Sequence, residues 1–279
     1  MRPHFAETPD HAPVLDLRRE AQRHLPDLSG LPELSDEERA MAARTWRGRM
    51  VNEHVSAQVF AGLIPQAMRA TLPPGLQAEL PRAIADEYRH AEQCAAVVVA
   101  LGHDPVAPLP PIQPLPTHDD VGPLEGFLRN CVSVGCLSET IAVSIIRAEH
   151  AELEGTPLGE LLGSILADEV QHARLGWTVL GLLAPRLDDE ARVRLSDYLV
   201  DALLHQLEYE IPKLPVNIGL RAEVGLAGVC DGSQARALFF DTIETVIVPK
   251  LCEAGLDAER AWAEAQSLWA ASQAEEQLS

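Results

Sequence analysis

A seven-residue pattern that occurs twice limits most strongly what this chain can fold into. It reads ADEYRHA at 85–91 and ADEVQHA at 167–173, so Ala-Asp-Glu-x-x-His-Ala recurs after 82 residues. On a helix, the glutamate and the histidine of each copy are three positions apart and share one face. Small and apolar residues surround both copies, where unpaired charged side chains would be costly. The repeat therefore predicts two helices that each offer a carboxylate and an imidazole to a metal ion.

The rest of the sequence also favours helices. Hydrophobic residues make up 47% of the chain and aromatic residues only 4%, alanine and leucine dominate, and no segment shows sustained strand alternation. Ser35 and Glu38 fit a capping box that opens the first helix. We predict an all-α protein with helices over about 35–71, 76–101, 124–154, 156–184, 188–211, 233–254 and 257–276.

The connections predict how the helices are arranged. LPPG at 72–75 is a tight turn, whereas 102–123 contains seven prolines and is neither helix nor central strand. About 20 extended residues reach roughly 65 Å, enough to return along a bundle and make the second and third helices parallel. We predict an irregular N-terminal arm (1–34), a four-helix bundle with this long crossover (35–185), and a C-terminal extension of about three helices (186–279).

A dinuclear site in a four-helix bundle needs one further glutamate from each of the other two helices. Glu53 lies among apolar residues at helical spacing, and Glu139 is the only charged residue between Arg129 and Arg147. In each predicted hairpin, this glutamate is level with the motif of the partner helix, because the two are about equally far from the turn. The predicted metal ligands are Glu53, Glu87, His90, Glu139, Glu169 and His172.

This ligand set resembles that of the ferritin-like di-iron carboxylate proteins, over residues 35–185. The first copy, DEYRH, is similar to the form found in bacterial multicomponent monooxygenases and ribonucleotide reductase small subunits. In those families the aspartate accepts a hydrogen bond from the metal-bound histidine of the other motif, which the resemblance carries over to Asp86 and Asp168. Gln171 interrupts the second copy, so Arg89 is left without a predicted role.

Carboxylate-rich ligation suits iron or manganese. We expect two Fe ions, with a Mn/Fe pair as the alternative, bridged by carboxylates such as Glu87 or Glu139. The resemblance implies an O₂-activating non-haem di-iron oxygenase or oxidase, with O₂ as cosubstrate, a small organic substrate and an external electron donor. The alternatives are a ferroxidase or iron-storage protein, a rubrerythrin-like peroxidase, and a non-catalytic metal-stabilised bundle. The helices after 188 favour the first, because they can roof the bundle, and they predict a closed apolar cavity beside the metals.

The net charge of −20 disfavours nucleic acid and anionic membranes as partners. We expect no membrane span and no signal peptide, and five cysteines without CxxC spacing favour a cytoplasmic location. A homodimer is left open. So is the role of Gly135 and Gly176, which either make room for a ligand or allow close helix packing. Three C-terminal acids are candidates for a seventh ligand: Glu208, Glu210 and Glu244.

Overall fold

The computed structural model describes residues 13–111, 113–214 and 221–276. These residues are mostly helical, with two short strands, so the predicted all-α class is confirmed. The α-helices are α1 (Asp36–Arg69), α2 (Pro74–Gln77), α3 (Glu79–Ala100), α4 (Pro123–Cys131), α5 (Glu139–Glu152), α6 (Pro157–Leu183), α7 (Asp189–Glu210), α8 (Ala222–Gly225), α9 (Gly232–Thr242), α10 (Val248–Glu253) and α11 (Ala258–Glu276).

The N-terminal arm is less irregular than predicted. A strand, β1 (Val14–Asp16), pairs antiparallel with β2 (Val106–Pro108) from the proline-rich connection, and a short 3₁₀ turn follows at Glu20–Arg23. Each strand is only three residues long, too short to show an alternating pattern in the sequence. Residues 1–12 of the predicted arm lie outside the described residues.

Two helical hairpins form the bundle: α1 packs along α3, and α5 packs along α6. The predicted capping box opens α1, where the hydroxyl of Ser35 accepts from the backbone of Glu38 and the carboxylate of Glu38 accepts from the backbone of Ser35. At the second turn, Gly155 adopts a φ of +77°, and Thr156 caps α6 by accepting from the backbone of Gly159 at 3.0 Å. Local signals therefore set where α1 and α6 begin.

The third bundle helix is not regular, contrary to the single helix predicted over 124–154. A π-helical segment, Val132–Ser138, joins α4 to α5 and ends immediately before Glu139. A second π segment, Ile243–Ile247, joins α9 to α10. Hydrogen bonds from i to i+5 widen the helix locally, and such segments are frequent at functional sites.

The apolar core consists of two clusters. One contains Phe60 of α1, Leu180 of α6 and Phe239 of α9, so the C-terminal helices share it with the bundle. The other contains Trp46 of α1 and Leu162 of α6. On α1, α3 and α6, the predicted metal ligands lie between residues of the first cluster and residues of the second. The proposed division at 185–186 stays a prediction.

One helical stretch, Pro123–Glu152, is long and apolar enough to cross a membrane by length and composition. The sequence was expected to contain no such stretch. The stretch contains the buried acids Glu125 and Glu139 and forms one wall of the bundle. A core helix has the same composition, so this finding is weak evidence for a membrane.

Candidate metal centre

The structure brings the six predicted ligands together in two overlapping groups, in each of which the possible ligand atoms lie within 4.8 Å of one another. The first group is Glu53, Glu87, His90 and Glu169, and the second is Glu87, Glu139, Glu169 and His172. Glu87 and Glu169 belong to both groups. Glu139 belongs to one group only, so it does not lie where a bridging carboxylate would.

Each imidazole faces the shared carboxylates with its Nδ1 atom. Nδ1 of His90 lies 3.1 Å from Oε1 of Glu169 and 3.7 Å from Oε2 of Glu53. Nδ1 of His172 lies 3.1 Å from Oε1 of Glu87 and 3.8 Å from Oε2 of Glu139. Each histidine thus meets the shared glutamate of the other motif, as two adjacent ion positions with common bridging ligands require.

The burial of these groups indicates that a cation fits between them. His90 is fully buried, and Glu87 and Glu169 are only 1% and 3% exposed. Nδ1 of both histidines and Oε2 of Glu87 are buried without a hydrogen bond of acceptable geometry. Such groups oppose folding unless they are paired. Four carboxylates and two imidazoles are ligands that suit iron or manganese.

The crowded acids also perturb one another. Burial, followed by the charge of Glu169, raises the pKa of Glu87 and of Glu139 well above the usual carboxyl value. Burial opposes the charging of His90, but the nearby carboxylates of Glu169 and Glu53 outweigh it and raise its pKa to about 11. For His172, Glu169 and Glu139 likewise outweigh burial and raise the pKa to about 9. The carboxylates therefore favour positive charge beside both imidazoles, and a divalent cation would supply it in place of the proton.

The outer nitrogen of each histidine faces the aspartate of the other motif. Nε2 of His90 lies 3.2 Å from Asp168, and Nε2 of His172 lies 3.4 Å from Asp86. This is the crossed arrangement that the family resemblance implied. A carboxylate that accepts from Nε2 fixes the ring orientation and leaves Nδ1 free for a metal.

Arg89 is the residue that sequence analysis left without a role. Its Nη2 donates to Asp86 and to Asp168, at 2.7 Å each. One guanidinium therefore joins the two aspartates that contact the two histidines. Gln171 stands at the matching place in the second copy, so the symmetry of the motif gave no signal that one arginine serves both.

The C-terminal acids take no part in either group among the described residues. Glu210 pairs with Lys213, and Glu244 accepts from the indole of Trp262. Glu208 is exposed. None of these three is a seventh ligand in this structure.

An apolar cavity lies beside the centre. It is small, with a volume of about 20 Å³, enough for a water molecule, and it reaches His172. Its walls come from α1, α3, α4 and α6 and from the turn around α2, with Phe60, Leu72, Leu76, Leu80 and Phe127 among them. The predicted cavity is therefore present, but it is open on one side, and the bundle and the α1–α3 turn line it instead of the C-terminal helices.

Gly135 and Gly176 line this cavity and also touch each other. A Cβ on Gly135 would lie 2.8 Å from the backbone of Gly176, and one on Gly176 would lie 2.4 Å from the backbone of Gly135. Of the two roles considered for these glycines, the structure shows close packing, because they let the π segment and α6 approach each other.

The fold is similar to a solved structure described as Protein 19 with aldehyde deformylating oxidase activity from Synechococcus. The match has a TM-score of 0.55 and 23% identity, and covers 84% of this chain and 96% of that one. It confirms the predicted ferritin-like bundle fold. No protein-family model matches the chain, and neither does any curated protein.

Proposed function

We propose that this protein is a non-haem di-iron oxidoreductase that activates O₂ and oxidises a small apolar organic molecule. The observation that carries the proposal is the pair of overlapping ligand groups with Glu87 and Glu169 in common, next to an apolar cavity that reaches His172. A structural metal site needs no such cavity. The fold supports the proposal but does not dictate it.

The proposal assigns different tasks to the residues of the centre. Glu53 and His90 would hold one ion and Glu139 and His172 the other, while Glu87 and Glu169 would contribute to both. Asp86, Asp168 and Arg89 would orient the imidazoles. Two such iron ions, once bound and reduced, supply the electrons that O₂ chemistry needs, and an external donor would restore them.

The composition of the cavity wall favours an apolar substrate. Leucine and phenylalanine side chains line most of it, and such walls exclude water from a reactive centre. The structural neighbour is described as having aldehyde deformylating oxidase activity, so an aliphatic aldehyde is the first substrate to test. A cytoplasmic location and an external electron donor remain part of the proposal.

The proposal is tested on protein loaded with Fe(II) under anaerobic conditions. We expect two Fe per chain and, after O₂ and a chemical reductant are added, consumption of an aliphatic aldehyde with release of formate. The matched control is Glu139→Gln, which keeps the size of the side chain but removes one ligand charge. Formate release that is equal in the control would refute a role for the centre. Binding of two Fe without turnover of any apolar substrate would favour the non-catalytic bundle.

A ferroxidase is the second candidate, because the same ligand set can oxidise Fe(II). The test is a large excess of Fe(II) with O₂. We expect oxidation to stop near two irons per chain in the absence of a reductant. Continued oxidation with formation of a mineral core would replace the oxidase proposal by iron storage.

A further inference from the structure

Gln206 of α7 is a buried polar residue that the proposed function does not use. Its side chain is in the core, with 2% of the residue exposed. Nε2 donates to the hydroxyl of Ser138 at 3.0 Å, while Oε1 accepts no hydrogen bond from any described residue. A buried carbonyl oxygen without a donor opposes folding. A leucine of similar size would avoid that cost. What glutamine offers at this position, and leucine does not, is the hydrogen bond from Nε2 to Ser138.

Ser138 is the last residue of the π segment and precedes Glu139. Its hydroxyl accepts from Gln206 and donates to the backbone carbonyl of Ser133 at 3.2 Å, five residues earlier. The bond therefore spans the widened turn, and Gln206 fixes the hydroxyl that makes it. A helix of the C-terminal extension thus reaches the turn that presents Glu139.

The other neighbour of Glu139 is held in a similar way. Thr140 is 8% exposed, and its hydroxyl accepts from the indole of Trp177 at 2.9 Å. The residues on both sides of Glu139 therefore have their side chains tied to other helices, α7 and α6. The backbone that carries Glu139 is therefore held on both sides.

We infer that Gln206 is a positioning residue for Glu139: through Ser138 it holds the π segment so that the Glu139 carboxylate stays in one of the two ligand groups. This rests on the metal centre of the proposed function and adds a task for the C-terminal helices. Glu53, in the other group, is on α1 and has no connection to Ser138. Loss of Gln206 should therefore affect one ion position and spare the other.

The test is the number of Mn²⁺ ions bound per chain, measured by EPR of free Mn²⁺ at a concentration that just saturates the native protein. We expect two ions for the native chain and fewer than two, but at least one, for Gln206→Leu, because a less firmly held Glu139 weakens one ion position and leaves the other intact. Ser138→Ala removes the same hydrogen bond from the other side and should give the same loss. The matched control is Ser196→Ala, which removes another buried hydroxyl of α7, one that bonds Arg192 and Asp257; it should keep two ions.

A second measurement assigns the lost ion. In a Glu139→Ala background, which has only the Glu53 position left, Gln206→Leu should leave the Mn²⁺ affinity unchanged. Two ions in both Gln206→Leu and Ser138→Ala, or an equal fall in affinity in the Glu139→Ala background, would overturn the inference. A native chain that binds no Mn²⁺ or Fe²⁺ would instead overturn the proposed metal centre itself.

Discussion

At the scale of single residues, the centre shows a division between shared and unshared ligands. Glu87 and Glu169 belong to both ligand groups, while Glu53 and Glu139 belong to one each. In the sequence, Glu87 and Glu169 differ from the other two by belonging to the repeated motif, but the motif does not say which carboxylates two ions would share. Their positions in the bundle show that these two belong to both groups.

We expect this division to appear in metal stoichiometry. Glu53→Ala should leave one ion per chain, because the group around Glu139 stays complete. Glu87→Ala should leave none at the same metal concentration, because both groups lose a ligand. Metal analysis after gel filtration in dilute Mn²⁺ measures this. Two ions bound by Glu87→Ala would contradict a bridging position.

Arg89 gives the second prediction at this scale. Arg89→Gln should weaken both ion positions by roughly 10–100-fold, the usual effect of losing an outer-shell partner, because the guanidinium holds both aspartates. Asp86→Asn should weaken chiefly the position at His172. Titration with Mn²⁺ measures both effects. The control is Arg82→Gln, which breaks an exposed pair with Glu79 on the same helix. Unchanged affinity in Arg89→Gln would make the arginine a surface residue.

At the scale of elements, the contact between the π segment and α6 places Glu139 opposite His172. Gly135 and Gly176 meet there with no side chain between the two backbones. The widened turn and the close approach act together, because a regular helix with larger residues would push α5 away from α6. The sequence could not show this, since π hydrogen bonding leaves no residue pattern of its own.

Gly176→Ala should lower the free energy of unfolding by about 1–3 kcal/mol or more, because the added methyl group meets backbone that cannot rotate away. Urea denaturation followed by circular dichroism measures the change. Gly181→Ala is the matched control on α6, where a Cβ would meet nothing within 4 Å. It should be neutral or up to about 1 kcal/mol more stable, from helix propensity. Similar values for both variants would contradict the close contact.

At the scale of the whole molecule, one apolar cluster joins the bundle to the C-terminal helices. Phe60, Leu180 and Phe239 belong to it although they come from distant parts of the chain. Helices that share one apolar core lose their packing together, so they are expected to unfold as one cooperative unit. The extension is therefore expected to unfold with the bundle.

We expect metal binding to protect the whole chain. At a free metal concentration of 100 times Kd, binding at one site stabilises the folded state by about 2.7 kcal/mol. Hydrogen exchange measured by mass spectrometry should show slower exchange in α7 as well as in α1, although no residue of α7 belongs to a ligand group. Slower exchange confined to the bundle helices would indicate that the extension is a separate unit.

The sequence by itself determined the helical class, the turns and the candidate ligands. These follow from local rules: three-residue spacing on a helix, capping residues, and prolines that exclude helix. The ligand candidates were accessible because acids on apolar faces are rare and the same pattern occurs twice.

The tertiary structure alone decided how those residues are used. It placed Asp86 against His172 and Asp168 against His90, set Arg89 between the two aspartates, and separated the glutamates of both ligand groups from those of one group. It also introduced the π segment before Glu139. The physical reason is that these features depend on distances between residues far apart in the chain, which helix packing sets and local spacing does not.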